Sequence, residues 1–342
     1  MPFATLGRRR IHYSLRGEPD APVIVFLNGL TQSVGLWNAY AERFAGSGWR
    51  VLAYDMLGQG LSEKPILGIP LAEHPATLAQ LLDTLAIDRI HLAGISFGGI
   101  VALDFATRFP RRLDSLVVMS TFAELTPQLE HLGVALYEGL TQVGLPYLQG
   151  LLYPMNLSGD WLAANRARIP EMKRAGFVGN DLFALQSLME SFAQFEPLTP
   201  RLAAIDCPTL IMNGEYDFFT PRETHDHLRR HIANSRLLIV QRAYHAFTLE
   251  MPAVTQRQIE VFLRSIADGS WSGDGSTWVA NDDPEAEPAA FRYPYDVLRA
   301  VVPPPYADDV TAPSPRQARP QATRKSTAGG VKRGTRRRGE TR

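Results

Sequence analysis

The stretch HLAGISFGGI, residues 91–100, decides the fold that we expect for this chain. It places Ser96 among glycines at positions 94, 98 and 99, and residues 94–98 have the spacing G-x-S-x-G. Glycines suit a sharp turn because a strand and a helix can approach each other closely where no Cβ atoms intervene. On such a turn a serine stands exposed at the tip with a strained backbone, as a nucleophile does.

The residues on both sides of this turn agree with that interpretation. RIHLAG (89–94) ends in an apolar run typical of a buried strand, and IVALDFATRFP (100–110) has apolar residues at helical spacing until Pro110. A glycine-rich turn with a purely structural role is the alternative. The strand before the turn and the helix after it favour the nucleophile.

Further apolar runs along the chain predict more strands of the same kind. They lie at 23–28, 50–55, 113–120, 208–214 and 235–241, and helical patterns lie near 36–47, 71–86, 98–109 and 221–232. Strands that alternate with helices predict an α/β protein with a mostly parallel sheet and helices on both faces.

The alternation stops between residues 123 and 202. Repeated leucines, aromatic residues and Gly or Pro breaks predict several helices there. A helical segment inserted between two strands can cover a site at the edge of the sheet and shield it from water. We therefore expect an α/β core in two parts, 1–122 and 203–267, with an inserted helical cap at 123–202.

The composition changes after residue 267. Residues 268–342 are rich in Gly, Pro, Ser and charge, with too little apolar surface to offset the entropy of ordering, so a disordered C-terminal tail is expected. Residues 268–315 carry nine acidic and two basic residues, and residues 316–342 carry ten basic and one acidic. The basic end predicts at most a nonspecific, salt-sensitive contact with polyanions.

The single cysteine, Cys207, excludes an intramolecular disulfide and fits a reducing compartment. It precedes an apolar strand, which favours a packing role.

The N-terminus MPFATLGRRRIHYS lacks the apolar run of a signal peptide, and the sequence has no run of eighteen apolar, uncharged residues that would predict a transmembrane segment. A cytoplasmic protein is expected, and the sequence indicates no particular oligomeric state.

A serine hydroxyl is a weak nucleophile at neutral pH and needs a base, which in turn is oriented by an acid. Asp217 follows a predicted strand and lies just before a helix, for which Thr220 is the expected N-cap and Glu223 its capping-box partner. His245 lies in the loop after the last predicted strand. The chain order Ser96, Asp217, His245 is the one found for triads on sheets of this type.

On these residues the chain resembles the cap-bearing serine esterases and lipases of the α/β-hydrolase superfamily, over about residues 8–266. The resemblance implies their fold and a triad of Ser96, Asp217 and His245. Some members carry the acid after the sixth strand, which makes Glu124 the alternative. A serine at position 96 argues against haloalkane dehalogenase and epoxide hydrolase chemistry, which on this fold uses an aspartate there.

The other histidines are not expected to take part. His12 and His91 lie on strands, where packing roles are expected, and His225, His227 and His231 lie on one predicted helix as solvated side chains. His225 and His227 do not share a helix face, so the pattern is not that of a zinc site. Neither a metal ion nor an organic cofactor is predicted.

Acyl transfer also needs two donors for the oxyanion of the intermediate. The backbone N–H of Phe97, at the start of the helix, is one candidate, and the N–H of Leu30 in the loop FLNGLTQS (26–33) is the other. Members of the superfamily commonly have His-Gly in this loop, whereas this chain has Asn28-Gly29. Asn28 and Trp37 are the candidate pocket residues, with a core position as the alternative for Trp37.

The constellation predicts hydrolysis of a carboxylic ester through an acyl-enzyme on Ser96. The cap stretch 132–155 is dominated by Leu, Gly and Tyr, which favours an apolar acyl group. The Asn-Gly loop and IMNGEYDFFTPRETHDHLRRHI (211–232) are also similar to the 3-hydroxyacyl transferases of rhamnolipid and polyhydroxyalkanoate precursor synthesis. Acyl transfer to a hydroxyl or thiol is therefore the first alternative, and a non-catalytic protein of this fold that binds a small ligand is the second.

Overall fold

The computed structural model describes residues 2–66 and 68–291. Within these ranges ten strands form one sheet: Phe3–Leu6 (β1), Arg9–Arg16 (β2), Val23–Leu27 (β3), Arg50–Tyr54 (β4), Ile90–Ile95 (β5), Leu113–Met119 (β6), Thr209–Gly214 (β7), Ser235–Val240 (β8), Thr277–Ala280 (β9) and Ala289–Ala290 (β10). Their spatial order is β1-β2-β4-β3-β5-β6-β7-β8-β9-β10. The strands from β4 to β9 in this order run parallel, and β1, β2 and β10 pair antiparallel with their neighbours.

Twelve α-helices lie in the same ranges: Asn38–Gly46 (α1), Glu73–Thr84 (α2), Phe97–Arg108 (α3), Pro127–Glu138 (α4), Leu145–Asn156 (α5), Gly159–Ala164 (α6), Ile169–Gly179 (α7), Leu182–Glu190 (α8), Thr199–Leu202 (α9), Arg222–His231 (α10), Phe247–Glu250 (α11) and Pro252–Ala267 (α12). The expected α/β-hydrolase architecture is confirmed. No helix of the described residues is long and apolar enough to cross a bilayer.

Both faces of the sheet are buried, which explains the continuous apolar runs of the strands. All five residues of β3 are buried. Val25 and Leu27 pack into the cluster formed with α2, α3 and α10, while Ile24 and Phe26 pack into the opposite cluster with α1 and α12. The central strands are thereby held rigidly, and the loops at their carboxyl ends are positioned by a packed core.

Between β6 and β7 the chain forms the helices α4 to α9, which confirms the expected helical insertion. Its small apolar centre is made by Leu140, Leu145, Leu148 and Leu185. This centre is separate from the two clusters that cover the sheet. The insertion therefore has packing of its own as well as contacts with the loops beneath it.

The structure corrects the expected start of the tail. After α12 the chain returns to the sheet, where β9 pairs in parallel with β8 and covers what would otherwise be its edge. The Arg236 guanidinium lies over the rings of both Trp271 and Trp278, at 4.9 and 4.5 Å from their centroids. These aromatic residues supply apolar surface for packing, which the low average hydropathy of the segment did not indicate. Residues 292–342, including the basic end, lie outside the described residues.

Candidate active site

Ser96 lies at the tip of the turn between β5 and α3. Its φ is 53° and its ψ is −116°, a conformation that costs a non-glycine residue energy. A Cβ at Gly94 would lie 2.3 Å from the carbonyl oxygen of Gly98, and one at Gly98 would lie 2.6 Å from that of Asn28. The backbones are packed so closely that only glycine fits at these positions, and this packing holds Ser96 in its strained conformation.

Hydrogen bonds fix the backbone of Ser96 from below. Its N–H donates to the carbonyl of Met119 at 2.9 Å, and its carbonyl accepts a hydrogen bond from the Thr121 hydroxyl at 2.9 Å. The N–H of Thr121 donates to Nε2 of His225 at 3.1 Å. The turn is thus connected through Thr121 to helix α10.

His225 is buried, which corrects the expectation of a solvated side chain. Burial lowers the pKa of His225 to about 4, so the ring is neutral at neutral pH. Since Nε2 accepts from Thr121, the proton lies on Nδ1, which is 3.3 Å from the carbonyl of Pro221. The signal was present in the sequence: His225, Leu228 and Ile232 share one helix face, and the other two are apolar and fully buried.

His245 and Asp217 are directly hydrogen-bonded. Nδ1 of His245 lies 2.9 and 3.0 Å from the two carboxylate oxygens of Asp217. Burial raises the pKa of the Asp217 carboxyl, but the charge and hydrogen bond of His245 lower it, as does the N–H of Thr220, and the pKa ends below its ordinary value. The ionised acid keeps the proton of His245 on Nδ1 and leaves Nε2 as the basic nitrogen.

Thr220 holds Asp217 rather than capping the helix. Its N–H donates to one carboxylate oxygen at 2.9 Å and its hydroxyl donates to the other at 2.7 Å. Helix α10 begins one residue later than expected, with Pro221 as its N-cap residue and without a side-chain cap from Thr220 or Glu223. A threonine before a proline matches a helix start, and only the tertiary contact shows that its hydroxyl is used elsewhere.

The alternative acid, Glu124, makes no hydrogen bond to His245 in the described part of the chain. It lies after β6 and acts electrostatically on His227. Burial lowers the pKa of His227, and the charge of Glu124 opposes part of that effect.

Burial raises the pKa of the Cys207 thiol to about 12, so it is not a thiolate at neutral pH. Within residues 2–66 and 68–291, His, Cys, Asp and Glu form no group of three or more that could hold a metal ion.

Ser96 and His245 open into one cavity of about 350 Å³ between the core and the helical insertion. The lining is mostly apolar, with side chains from α4, α5, α7 and α8 above and from the loops of the core below. The lining residues are Gly29, Leu30, Thr31, Gln32, Ile95, Ser96, Leu136, Leu145, Leu148, Gln149, Leu152, Tyr153, Asn156, Leu157, Met172, Gly176, Asn180, Leu185, Met189, Phe219, His245, Ala246 and Leu249.

The expected pocket residues Asn28 and Trp37 are not in this wall. Both are fully buried, and the indole N–H of Trp37 donates to Oδ1 of Asn28 at 2.8 Å. Trp37 stacks on Phe26 with ring centroids 4.8 Å apart. Asn28 directly follows β3, and Trp37 ends the short 3-10 helix Val34–Trp37. Both side chains are buried in the core, whereas Gly29 and Leu30 line the cavity.

Comparison with known proteins identifies the family to which this fold belongs. The family model for the alpha/beta hydrolase fold matches residues 22–252. The chain belongs to the α/β-hydrolase fold family. A protein of Pantoea ananatis named as a carbamate hydrolase, RutD, is 33% identical over 62% of this chain and 78% of its own length. A 2-hydroxy-6-oxononadienedioate/2-hydroxy-6-oxononatrienedioate hydrolase of Paraburkholderia xenovorans is 29% identical over 75% of this chain and 91% of its own length.

Among solved structures of this α/β-hydrolase family, the enol-lactonase from Burkholderia xenovorans superposes with a TM-score of 0.71 at 25% identity. The match covers 77% of this chain and 100% of the enol-lactonase. These relatives are named for hydrolytic reactions, which supports hydrolase activity for this chain. Their named substrates differ from one another, so the chemistry of the cavity itself has to indicate the substrate.

Proposed function

We propose that this protein is a serine hydrolase that cleaves a neutral, apolar carboxylic ester through an acyl-enzyme on Ser96. The observation that carries the proposal is the common cavity of Ser96 and His245, with His245 hydrogen-bonded to Asp217 at 2.9 Å. A nucleophile on a strained turn, a base and its orienting acid are the three groups that acyl transfer requires.

The reaction follows from the protonation states of these groups. Nε2 of His245 takes the proton of the Ser96 hydroxyl as the serine oxygen attacks the ester carbonyl, and Asp217 stabilises the imidazolium that forms. His245 then protonates the departing alcohol, which leaves the acyl group on Ser96. A water molecule, activated by the same nitrogen, releases the acid and restores the serine.

The backbone N–H groups of Leu30 and Phe97 are the proposed donors to the oxyanion. Phe97 is the first residue of α3, where an N–H has no acceptor within the helix and the helix dipole favours negative charge. Leu30 lines the cavity from the loop after β3. Removal of one such donor costs about 100- to 1000-fold in kcat in enzymes of this kind.

The lining of the cavity supports the proposed substrate class. None of its described lining residues is Asp, Glu, Lys or Arg, and most are Leu, Met or aromatic. The relative from Paraburkholderia xenovorans is named for dioates, which carry two carboxylates, and such groups bind best to cations. A cavity lined in this way favours an uncharged ester or lactone with an apolar acyl group.

Hydrolysis of p-nitrophenyl esters from acetyl to palmitoyl tests the proposal directly. We expect Ser96-dependent release of the acid into water, with Ser96→Ala lowering kcat about 10⁶-fold or to background. Ser265→Ala is the matched control, because its hydroxyl donates to the carbonyl of Phe262 on α12, outside the cavity lining. Labelling of Ser96 by a fluorophosphonate shows whether the serine is activated.

Two other results would redirect the proposal. Product that forms only when an alcohol or a thiol is added would indicate acyl transfer, the first alternative from the sequence. A protein that neither turns over any ester nor labels at Ser96 would indicate a ligand-binding member of the family.

A further inference from the structure

Gln59 lies buried beneath the loop that carries Leu30. Its exposed fraction is 1%, and its Nε2 donates to two backbone carbonyls of that loop, Gly29 at 2.8 Å and Leu30 at 3.1 Å. Its Oε1 accepts from Nδ2 of Asn28 at 3.2 Å. The Nε2 group of Gln59 therefore uses both of its hydrogens to hold two successive carbonyl groups of the loop.

The orientation of this amide is fixed by a residue that can only donate. The indole N–H of Trp37 requires an acceptor, so Asn28 must turn its Oδ1 toward Trp37 and its Nδ2 toward Gln59. The second hydrogen of Asn28 Nδ2 goes to the carbonyl of Tyr54 at 3.0 Å. Gln59 must then present its oxygen to Asn28, which leaves its NH₂ group for the loop.

The planarity of the peptide bond transmits this orientation to the next residue. The carbonyl of Gly29 and the N–H of Leu30 belong to one trans peptide unit and point in opposite directions. Since Gln59 holds the carbonyl on the buried side, the N–H of Leu30 is directed to the other side, where Leu30 lines the cavity with Ser96. The preceding peptide is also fixed, because the N–H of Gly29 donates to Oε1 of Gln32 at 2.7 Å.

We propose that Gln59 is a positioning residue that aims the N–H of Leu30 at the oxyanion. The need for such a residue comes from Gly29, whose lack of a Cβ makes rotation of the Gly29–Leu30 peptide cheap. Rotation by half a turn would place a carbonyl where the oxyanion forms, and would repel it. The hydrogen bond from Gln59 to the Gly29 carbonyl opposes that rotation, as does the N–H of Gln32, which donates to the same carbonyl at 3.1 Å. The second hydrogen bond of Gln59 fixes the carbonyl of the following peptide. This inference rests on the proposed function and adds a residue outside the cavity to it.

Gln59→Met tests the inference, because methionine keeps the length of the side chain and removes both donors. We expect kcat for the best p-nitrophenyl ester to fall about 100-fold, with KM within about threefold of the wild-type value. The rate of Ser96 labelling by a fluorophosphonate should fall in the same proportion, because that reaction also develops charge on an oxygen in the oxyanion site. A residue that only stabilised the fold would lower the melting temperature without this division between kcat and KM.

Gln258→Met is the matched control. Gln258 is 2% exposed on α12, and its Nε2 has no hydrogen-bond partner among the described residues, so its replacement should leave both kcat and KM unchanged. If Gln59→Met does not fold, Gln59→Leu serves instead, since leucine is also apolar and has no donor for either carbonyl.

The outcomes separate the two proposals. A kcat within threefold of wild type for the folded Gln59 variant, with Ser96→Ala inactive, would overturn the role of Gln59 and leave the proposed function in place. A wild-type protein without turnover or Ser96 labelling would overturn the proposed function and, with it, this inference. A fall in kcat at constant KM in the Gln59 variant, without a similar fall in Gln258→Met, supports both the proposed function and the role of Gln59.

Discussion

The carboxyl group of Asp217 is ionised although its side chain is fully buried. Burial alone would keep it protonated, and three groups offset that cost: the ring of His245, the hydroxyl of Thr220 and the N–H of Thr220. A buried acid that is hydrogen-bonded on both oxygens cannot rotate, so the ring of His245 is held in a single orientation. At the scale of single residues, the site depends on how well these contacts fix the orientation of the Asp217 carboxylate and the His245 ring.

Asp217→Asn should therefore lower kcat far more than it lowers stability. The amide has the same shape, but its NH₂ group would face Nδ1 of His245 or the donors of Thr220, and the histidine would be held in the wrong tautomer. We expect a fall of about 10⁴-fold in kcat for ester hydrolysis. Asp83→Asn, which changes an exposed carboxylate paired with Arg112, is the control. Equal activities for the two variants would contradict the role of Asp217 and return attention to Glu124.

At the scale of elements, the loop that carries His245 depends on a strand that extends the sheet beyond β8. Strand β9 covers the edge of β8, the strand that leads to the loop of His245. Val279 and Ala280 of β9 are fully buried, and Phe291 is 7% exposed. An uncovered β8 would present unpaired backbone groups at the edge of the sheet, which invites association with other chains.

A chain that ends after Ala267 should be less stable than one that ends after Phe291. The shorter chain lacks β9, β10 and the rings of Trp271 and Trp278 over Arg236, so we expect a melting temperature lower by at least several degrees and a greater tendency to aggregate. Thermal unfolding and light scattering of the two proteins at equal concentration measure both effects. Identical melting curves would show that β9 adds nothing to the stability of the core.

For the whole molecule, buried histidines make stability depend on pH. Burial lowers the pKa of both His74 and His225 to about 4. In the unfolded chain they titrate near pH 6.5, so the unfolded state binds more protons than the folded state between pH 6.5 and 4. Stability from each group is therefore fully present above pH 6.5 and is lost as the pH falls toward 4, by about 3 kcal/mol per histidine.

His74→Leu should shift acid unfolding to lower pH. Both ring nitrogens of His74 are buried without a hydrogen-bond partner among the described residues, so leucine removes the proton-binding group and sacrifices no hydrogen bond. The free energy of unfolding, measured by urea denaturation from pH 7.5 to 4, should fall less steeply for the variant than for the wild-type protein. His131→Gln, at an exposed histidine, is the control, and coincident curves for all three proteins would contradict the argument.

The segregated charges of residues 268–342 also belong to the scale of the whole molecule. Contact of the basic end with polyanions stays a prediction, since residues 316–342 lie outside the described part of the chain. A cytoplasmic location likewise stays a prediction from the sequence.

The sequence by itself determined the α/β class, the turn at Ser96 and the order of Ser96, Asp217 and His245. These features are local: a glycine cage, apolar runs, and polar residues that directly follow strands, whose carboxyl ends meet at one edge of a parallel sheet. Each can be recognised without knowing what lies next to it in space.

Only the tertiary structure decided which side chains support these residues. Thr220 turned from a helix cap to Asp217, His225 turned inward to Thr121, and Asn28 and Gln59 met beneath a loop that is 30 residues away from Gln59 in the chain. A polar side chain can satisfy its hydrogen bonds in several ways that are equally consistent with its neighbours in sequence. Burial removes water as a partner, and the groups that the fold brings close then determine the choice.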